Sequence, residues 1–111
     1  MYARVARFEE FDSSRIDEQV ADMRRELAAA RSGDLPEGDP EQVRTLMETV
    51  TRFVQLVDRE QGTAIAIAFC ATEDDARRAD AVLNEMSPGE GEGRRTAPAD
   101  IYEVVLDEPL A

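Results

Sequence analysis

The chain has 111 residues, enough for one domain, and its 25 acidic residues outweigh 13 basic ones to give a formal net charge of −12. This balance argues against binding a nucleic-acid backbone, which requires clustered cations. One cysteine and no histidine exclude a disulfide framework and most zinc sites. No apolar run approaches the length of a transmembrane helix. We therefore expect a single domain over residues 1–111, with no metal, haem or flavin, no nucleic acid and no membrane.

The choice of basic residues bears on the source of the chain. All 13 basic residues are arginines, which is typical of a GC-rich coding sequence and indicates a bacterial protein. The first residues, Met1 to Arg4, do not have the charged and then apolar pattern of a signal peptide. The cytoplasm is therefore the expected compartment.

The N-terminal third predicts a strand followed by a helix. Residues 2–9 have the apolar content of a short strand. A helix is predicted over residues 14–31, with Ser14 and Asp17 as a capping box and Gly33 as the left-handed residue after its end. Its apolar residues recur at helical spacing: Ile16, Val20, Met23 and Leu27.

The middle of the chain predicts a β-hairpin. Residues 33–40 contain turn formers and are expected to form a loop, and one or two helical turns follow over residues 41–49. Two apolar runs, residues 51–57 and 63–70, are joined by five polar residues ending in Gly62. In the second run alanines alternate with large apolar residues, so both faces are apolar and a central strand is expected. A charge at Ala66, taken to lie on the face that meets a second copy, is expected to dissociate a dimer and to destabilise the fold.

The last third predicts a helix, a loop and a strand. Thr72 and Asp75 form a second capping signature ahead of a helical apolar stripe. Residues 87–93 are rich in Gly and Glu and are expected to be mobile, and residues 101–106 are expected to form the last strand.

The order of these elements predicts an α+β, ferredoxin-like βαββαβ fold. It has a four-stranded antiparallel sheet with two helices on one face. The opposite face is left bare and apolar, which is unusual for a monomer. Leu, Ile, Val and Phe together supply only a lean core, so a homodimer through the sheet face is expected.

Four stretches of the chain resemble the dimeric α+β-barrel superfamily, and within it the antibiotic biosynthesis monooxygenase domains. These stretches are residues 2–8, 53–58, 63–70 and 70–76. The resemblance covers roughly residues 2–31 and 50–106 and implies a dimeric α+β barrel. Catalytic members have an Asn, a Trp and sometimes a His, which correspond here to Ala6, Cys70 and a position near Asp80. The resemblance therefore implies the fold without the catalytic set.

A ligand site is expected between the first strand and the two helices. Small residues leave room there, and Arg4 offers a charge-assisted hydrogen bond to a small apolar acid or phenol. An ion pair between Arg4 and an acid of a helix, or Glu9 or Glu103, is the simpler interpretation of that arginine. The expected ligand-binding residues are Arg4, Ala6, Phe8, Phe53 and Cys70.

Three functions remain open at this stage. The first is a non-catalytic dimer that binds a small apolar or aromatic molecule. The second is a cofactor-free monooxygenase or related enzyme acting on an aromatic or polyketide-like substrate. The third is an amino-acid-binding regulatory module of ACT type, which has the same element order but usually carries a glycine in the loop after its first strand, where this chain has none. Cys70 is expected to be a buried apolar filler, since no His is present to activate its thiol.

Overall fold

The computed structural model describes residues 1–33, 40–86 and 94–111. Strand β1 is followed by a short 3-10 turn and helix α1, then by α2, the β2–β3 hairpin and α3, and finally by β4 and β5. The bounds are β1 Tyr2–Glu9, 3-10 turn Ser13–Arg15, α1 Ile16–Arg31, α2 Pro40–Thr49, β2 Val50–Asp58, β3 Thr63–Cys70, α3 Glu73–Glu85, β4 Arg94–Arg95 and β5 Asp100–Glu103. The predictions for residues 34–39 and 87–93 lie outside the described residues.

The five strands form one antiparallel sheet. Its order is β2-β3-β1, and both β4 and β5 pair with the free side of β1. Together with the three α-helices, this arrangement is consistent with a ferredoxin-like α+β fold. The central positions predicted for the first strand and for residues 63–70 are confirmed. The number of strands is not, because the segment beside β1 is divided into two short strands rather than one.

The edge beside β1 is divided into β4 and β5 because the chain between these two strands is longer than the part of β1 that it faces. Arg95 pairs with Phe8 and Asp100 pairs with Val5, so four residues on the edge lie opposite only two residues of β1. The surplus residues leave the ladder, as in an enlarged bulge. The predicted strand over residues 101–106 is also shorter than expected. It ends at Glu103, which pairs with Tyr2 at the start of β1, and the backbone N–H of the next residue, Val104, donates to the carbonyl of Met1.

Two details of the helices differ from expectation. The predicted capping box at Ser14 and Asp17 is not formed, because residues 13–15 form a 3-10 turn and α1 begins at Ile16 with no side-chain capping bond. The 3-10 turn is capped by Asp12, whose Oδ1 accepts hydrogen bonds from the backbone N–H of Ser14 at 3.0 Å and from the Ser14 hydroxyl at 2.6 Å. These bonds hold the pKa of Asp12 below its ordinary value. Helix α2 continues for ten residues, where one or two turns were expected. The left-handed conformation of Gly33 just after the end of α1, with φ of 88°, and the cap of α3 by Thr72 are as predicted.

All three helices contribute to one face of the sheet, which we call the covered face. Directly paired residues of neighbouring strands lie on the same face, so the register assigns Tyr2, Arg4, Ala6 and Phe8 to it with four residues of β3. Two apolar clusters form there. One contains Phe8, Phe11, Ile16, Val20, Val57 and Ala64, and the other contains Tyr2, Leu46, Val50, Cys70, Ala76, Ala79 and Ile101.

The alanines of β3 therefore face the helices, and its large residues do not. Ala66 pairs with Ala6 on the covered face, so the expectation that Ala66 lies on the bare face, where a second copy would bind, is wrong. We call the other side the open face. Its apolar side chains are Ala3, Val5, Val54, Leu56, Ile65, Ile67, Phe69 and Tyr102. Leu56 and Tyr102 are 49% and 52% exposed, and both described apolar clusters lie on the covered side.

Candidate functional site

A polar cluster lies on the covered face beside β1, where α3 crosses the sheet. Arg4 is buried, and its Nε donates to Oδ1 of Asp80 at 2.7 Å. Its Nη2 also donates to Oδ1 of Asn84 at 3.2 Å. Asp80 and Asn84 are one helical turn apart on α3, so both side chains lie on the helix face towards the strand. The simpler interpretation of Arg4, an ion pair with a helix acid, is what the structure contains.

A second arginine reaches the same cluster from the edge of the sheet. Nη1 of Arg95 donates to Oδ1 of Asn84 at 2.6 Å. The amide of Asn84 in turn donates to Oδ2 of Asp80 at 3.2 Å. One amide oxygen thus accepts from both guanidinium groups. Asp80 is the only carboxylate hydrogen-bonded within this group of four side chains, which therefore holds one positive charge in excess.

The surroundings of Arg95 are both apolar and accessible. Arg95 lies directly opposite Phe8 in the ladder, so the Cβ atoms of the two residues are about 5 Å apart on the same face. Phe8 packs against the cluster around Phe11 and Ile16. Arg95 is only partly buried, and among the described residues it makes no ion pair with an acid. An aromatic ring and a cationic group are therefore adjacent at the edge of the covered face.

The five residues predicted to bind a ligand do share the covered face, but they differ in what they can reach. Ala6 and Cys70 are 1% and 0% exposed. Cys70 packs on Ala76 and Ala79, because small residues on both sides let α3 approach the sheet closely. The space that was expected beside Cys70 is thus filled by the helix.

Phe53 lies away from the polar cluster. It pairs with Ala68, which pairs with Arg4, so two strand spacings, or about 10 Å, separate Phe53 from β1. It is 38% exposed on the outer strand. Of the predicted residues, Arg4 and Phe8 lie beside the cluster, Ala6 lies between them on β1, and Phe53 and Cys70 belong elsewhere on the face.

Cys70 lacks the properties of a nucleophile. Burial, and to a smaller extent the negative charge of Asp75, raise the pKa of its thiol. The thiol therefore stays protonated at neutral pH, whereas a reactive cysteine needs a lowered pKa. This agrees with its expected role as a small apolar residue.

Asn84 and Arg95 were missed by the sequence analysis. Asp80 and Asn84 stand four residues apart, a spacing typical of one helix face, but nothing in the sequence pairs that face with Arg4. Arg95 lies after the segment 87–93, and its position opposite Phe8 depends on the division of the edge strand. Only the tertiary arrangement brings the four side chains together.

Within the part of the chain that the structure describes, no helix combines the length and the apolar character that crossing a bilayer requires. Within the same ranges, no three acidic or cysteine side chains are grouped as metal ligands.

No protein-family model, curated protein or solved structure matches this chain. Inference about its function therefore depends on the geometry of the chain itself.

Proposed function

We propose that this chain is a non-catalytic binding protein for a small aromatic or largely apolar carboxylic acid, with its site at Arg95 and Phe8. The observation that carries the proposal is the convergence of two guanidinium groups on Asn84 with a single carboxylate, Asp80, between them. In a chain with a net charge of −12, a pair of arginines with one positive charge in excess is the natural place for an anion.

The two arginines take different parts in this proposal. Arg4 is buried and committed to Asp80, so its charge is already balanced and it acts as a support that positions Asn84. Arg95 donates one hydrogen bond to Asn84 and has further N–H groups in its planar fork. A carboxylate can accept two parallel hydrogen bonds from such a fork. The sequence suggested that Arg4 binds the ligand; we instead assign the carboxylate of the ligand to Arg95.

The apolar part of the ligand is assigned to Phe8. Its ring lies on the same face as Arg95 and directly across the ladder. A small aromatic acid has an apolar ring and a carboxylate separated by one bond, which matches a ring and a guanidinium on adjacent strands. Offset contact between two aromatic rings contributes about 0.5–1.5 kcal/mol in addition to the free energy gained from burying apolar area.

The chemistry of the same face supports a non-catalytic role. At the positions that the resemblance assigns to a catalytic Asn and Trp, the chain has Ala6 and Cys70, both buried. The position nearest the catalytic His is occupied by Asp80, which is bound to Arg4. The cofactor-free monooxygenase alternative would need another group to polarise the substrate oxygen, and steady oxygen consumption with phenolic substrates would favour it.

The proposal is tested by calorimetric titration with benzoate. We expect Arg95→Gln to weaken binding about tenfold or more, because a hydrogen bond to a charged group contributes about 1.5–3 kcal/mol. Arg94→Gln is the matched control: it removes the same charge one residue away, where Arg94 lies near Glu9 and Glu10 at 3.8 and 3.9 Å. Equal binding by wild type and Arg95→Gln, or equal weakening by both variants, would overturn the assignment.

We also propose that the chain is a homodimer assembled through the open face, as in the dimeric α+β-barrel superfamily that it resembles. A contiguous apolar sheet surface of this kind is unusual on a monomer. The covered face carries the polar cluster, so dimerisation through the open face leaves the site at Arg95 accessible in both copies.

A further inference from the structure

Strand β2 forms an outer edge of the sheet, and within the described residues it pairs with β3 alone. That pairing is regular from Arg52 to Asp58, after an irregularity between Val50 and Arg52. The five residues between Arg52 and Asp58 include neither a charge nor a proline. Charges and prolines are the residues that usually protect an edge strand from pairing with another chain. The outer side of β2 is therefore open to a further strand.

The sequence of this edge is chemically symmetrical about Gln55. Residues at equal distances on either side of Gln55 form a pair of opposite charge, a pair of one aromatic and one β-branched residue, and a pair of aliphatic residues. In that order the pairs are Arg52 with Asp58, Phe53 with Val57, and Val54 with Leu56. Each combination is stabilising at directly opposite positions of an antiparallel pair. A second β2 that runs in the opposite direction therefore presents a suitable partner at every position.

From this symmetry we infer that two copies of the chain pair edge to edge through β2, antiparallel and centred on Gln55. The two-fold axis is perpendicular to the sheet and passes between the two copies of Gln55, so each other pairing occurs twice, as a two-fold interface requires. The two sheets then form one continuous sheet with all helices on the same side. This contact uses the edge of the sheet and not the open face, so it does not depend on the proposed sheet-face dimer.

The two faces of the strand restrict the register of this pairing. Directly opposite residues share a face, and Arg52 and Asp58 lie on the open face whereas Gln55 lies on the covered face. A shift of one residue would set residues of different faces against each other, so the smallest allowed shift is two residues. Such a shift places Arg52 opposite Leu56 or Asp58 opposite Val54, according to its direction. Only the register centred on Gln55 places the opposite charges directly across from each other.

The groups that the pairing brings together are accessible in the single chain. Among the described residues, neither Arg52 nor Asp58 forms an ion pair. The guanidinium carbon of Arg52 lies 5.7 Å from the centre of the Phe69 ring, and Oδ1 of Asp58 accepts two backbone hydrogen bonds of the turn. Phe53 is 38% exposed, so the helices of the covered face leave the middle of β2 accessible to a neighbouring sheet.

The size of the edge predicts a weak contact. Seven residues of strand extend about 24 Å, and the spacing of about 10 Å between stacked sheets sets the thickness of the edge. The projected area is on the order of 250 Å² per copy, well below the roughly 800 Å² per partner of a stable interface. We therefore expect edge pairing at protein concentrations of about 100 µM and above, and the proposed sheet-face dimer at micromolar concentrations.

The position of Gln55 beside the two-fold axis makes the inference testable by disulfide trapping. Directly opposite residues of an antiparallel pair have Cα atoms about 4.5–5.5 Å apart, which is within the range of a disulfide. In Gln55→Cys the two introduced thiols therefore face each other. The sheet-face dimer cannot bring them together, because Gln55 lies on the covered face. The native Cys70 is buried and does not compete.

The matched control is Phe53→Cys, which introduces a thiol on the same face of the same strand. In the inferred dimer its two copies lie four positions apart along the strand, about 13 Å, which is beyond the reach of a disulfide. At about 100 µM protein and under mild oxidation, we expect Gln55→Cys to cross-link at least about tenfold faster than Phe53→Cys. Non-reducing electrophoresis measures both rates, and circular dichroism establishes that both variants are folded.

Charge variants in the Gln55→Cys chain test the two ends of the pairing. Arg52→Asp sets like charges opposite each other at both ends and is expected to slow cross-linking about threefold or more. Asp58→Asn keeps an oxygen for the turn hydrogen bonds. We expect it to slow cross-linking when Arg52 is present and to speed it when Arg52→Asp is present, because it then removes a repulsion.

The outcomes separate the edge contact from the sheet-face dimer. Equal cross-linking rates for Gln55→Cys and Phe53→Cys would overturn the inference. An effect of Asp58→Asn with the same sign in both chains would also overturn it. A wild type that is monomeric at micromolar concentrations, with Gln55→Cys still cross-linking selectively at about 100 µM, would overturn the sheet-face dimer and support the edge contact.

Discussion

The same strands form both faces of the sheet, but the two faces differ in the size of their side chains and in what covers them. On β3, alanines and Cys70 occupy the covered face, and Ile65, Ile67 and Phe69 occupy the open face. Large residues usually face the helices of their own chain, and here the opposite holds. The small residues let α3 lie close to the sheet, and the larger apolar side chains lie on the face where we propose that a second copy binds.

The sharpest way to break this comparison is to place one charge on each face of β3. Ala64 is 3% exposed and packs with Phe11 and Ile16. We expect Ala64→Asp to cost at least about 4 kcal/mol, enough to unfold a marginally stable domain, because an unpaired charge would be buried. Urea denaturation followed by circular dichroism measures this cost.

Its counterpart is Ile67→Asp on the open face. We expect this variant to keep its secondary structure while dissociating any dimer, since its side chain does not enter either described cluster of the covered face. If Ile67→Asp unfolds the monomer as thoroughly as Ala64→Asp does, the distinction between the two faces is incorrect.

A second comparison uses the ion pairs of β1, one on each face. Arg4 and Asp80 pair at 2.7 Å with side-chain exposures of 6% and 28%. We expect Asp80→Ala to cost on the order of 3 kcal/mol, because it leaves the guanidinium buried without its partner.

On the open face, Arg7 and Asp100 are 3.8 Å apart and more than half exposed. Asp100→Ala is therefore expected to cost less than about 1 kcal/mol. The free energies of unfolding of the two variants are measured by urea titration. Equal losses would mean that burial does not distinguish the two pairs.

A smaller effect is expected at the helix that covers the sheet. The hydroxyl of Thr72 accepts a hydrogen bond from the backbone N–H of Asp75 at 3.1 Å. Thr72→Ala is expected to cost about 1 kcal/mol through loss of this cap. Thr72→Ser keeps the hydroxyl and should recover most of the loss in thermal unfolding. A serine variant as unstable as the alanine variant would point to another cause.

The smallest effect concerns pH and the covered face. The folded pKa of Cys70 is raised above its ordinary value of 9.0 by burial and by Asp75. The native state then holds its proton more tightly than the unfolded state, so this contribution to stability is present below about pH 9 and is lost as pH rises through the folded pKa. We expect the free energy of unfolding of Cys70→Ala to fall less steeply than that of the wild type as the pH rises above about 9. An unchanged slope would contradict this assignment.

The sequence predicted the strands and helices well where local chemistry decides them. The bounds of β1, the hairpin about Gly62 and the cap at Thr72 all depend on neighbouring residues. The sequence could not decide which face of β3 meets the helices. The alternation of small and large apolar residues assigns them to opposite faces, but both faces are apolar and either could be the buried one. In the structure, Ala76 and Ala79 of α3 pack with Cys70 on the alanine-bearing face of β3, and this contact between distant elements is not visible in the local sequence pattern.

The candidate site was predicted in part. Arg4 was identified, together with the possibility that a helix acid would neutralise it. Asp80 as its partner, Asn84 as the shared acceptor and Arg95 as the second cation depend on how α3 crosses β1 and on where the edge strand divides. Asp80 and Asn84 are 76 and 80 positions from Arg4, and Arg95 is 11 positions from Asn84 across a loop, so no local pattern reports these contacts.

The central claim is that the open face is covered by a second copy of the chain. Sedimentation equilibrium of the wild type across micromolar concentrations tests it most directly. A mass near twice 12.3 kDa for the wild type, falling to the single-chain mass for Ile67→Asp, is the result we expect. A wild type that stays at 12.3 kDa throughout that range would contradict the claim.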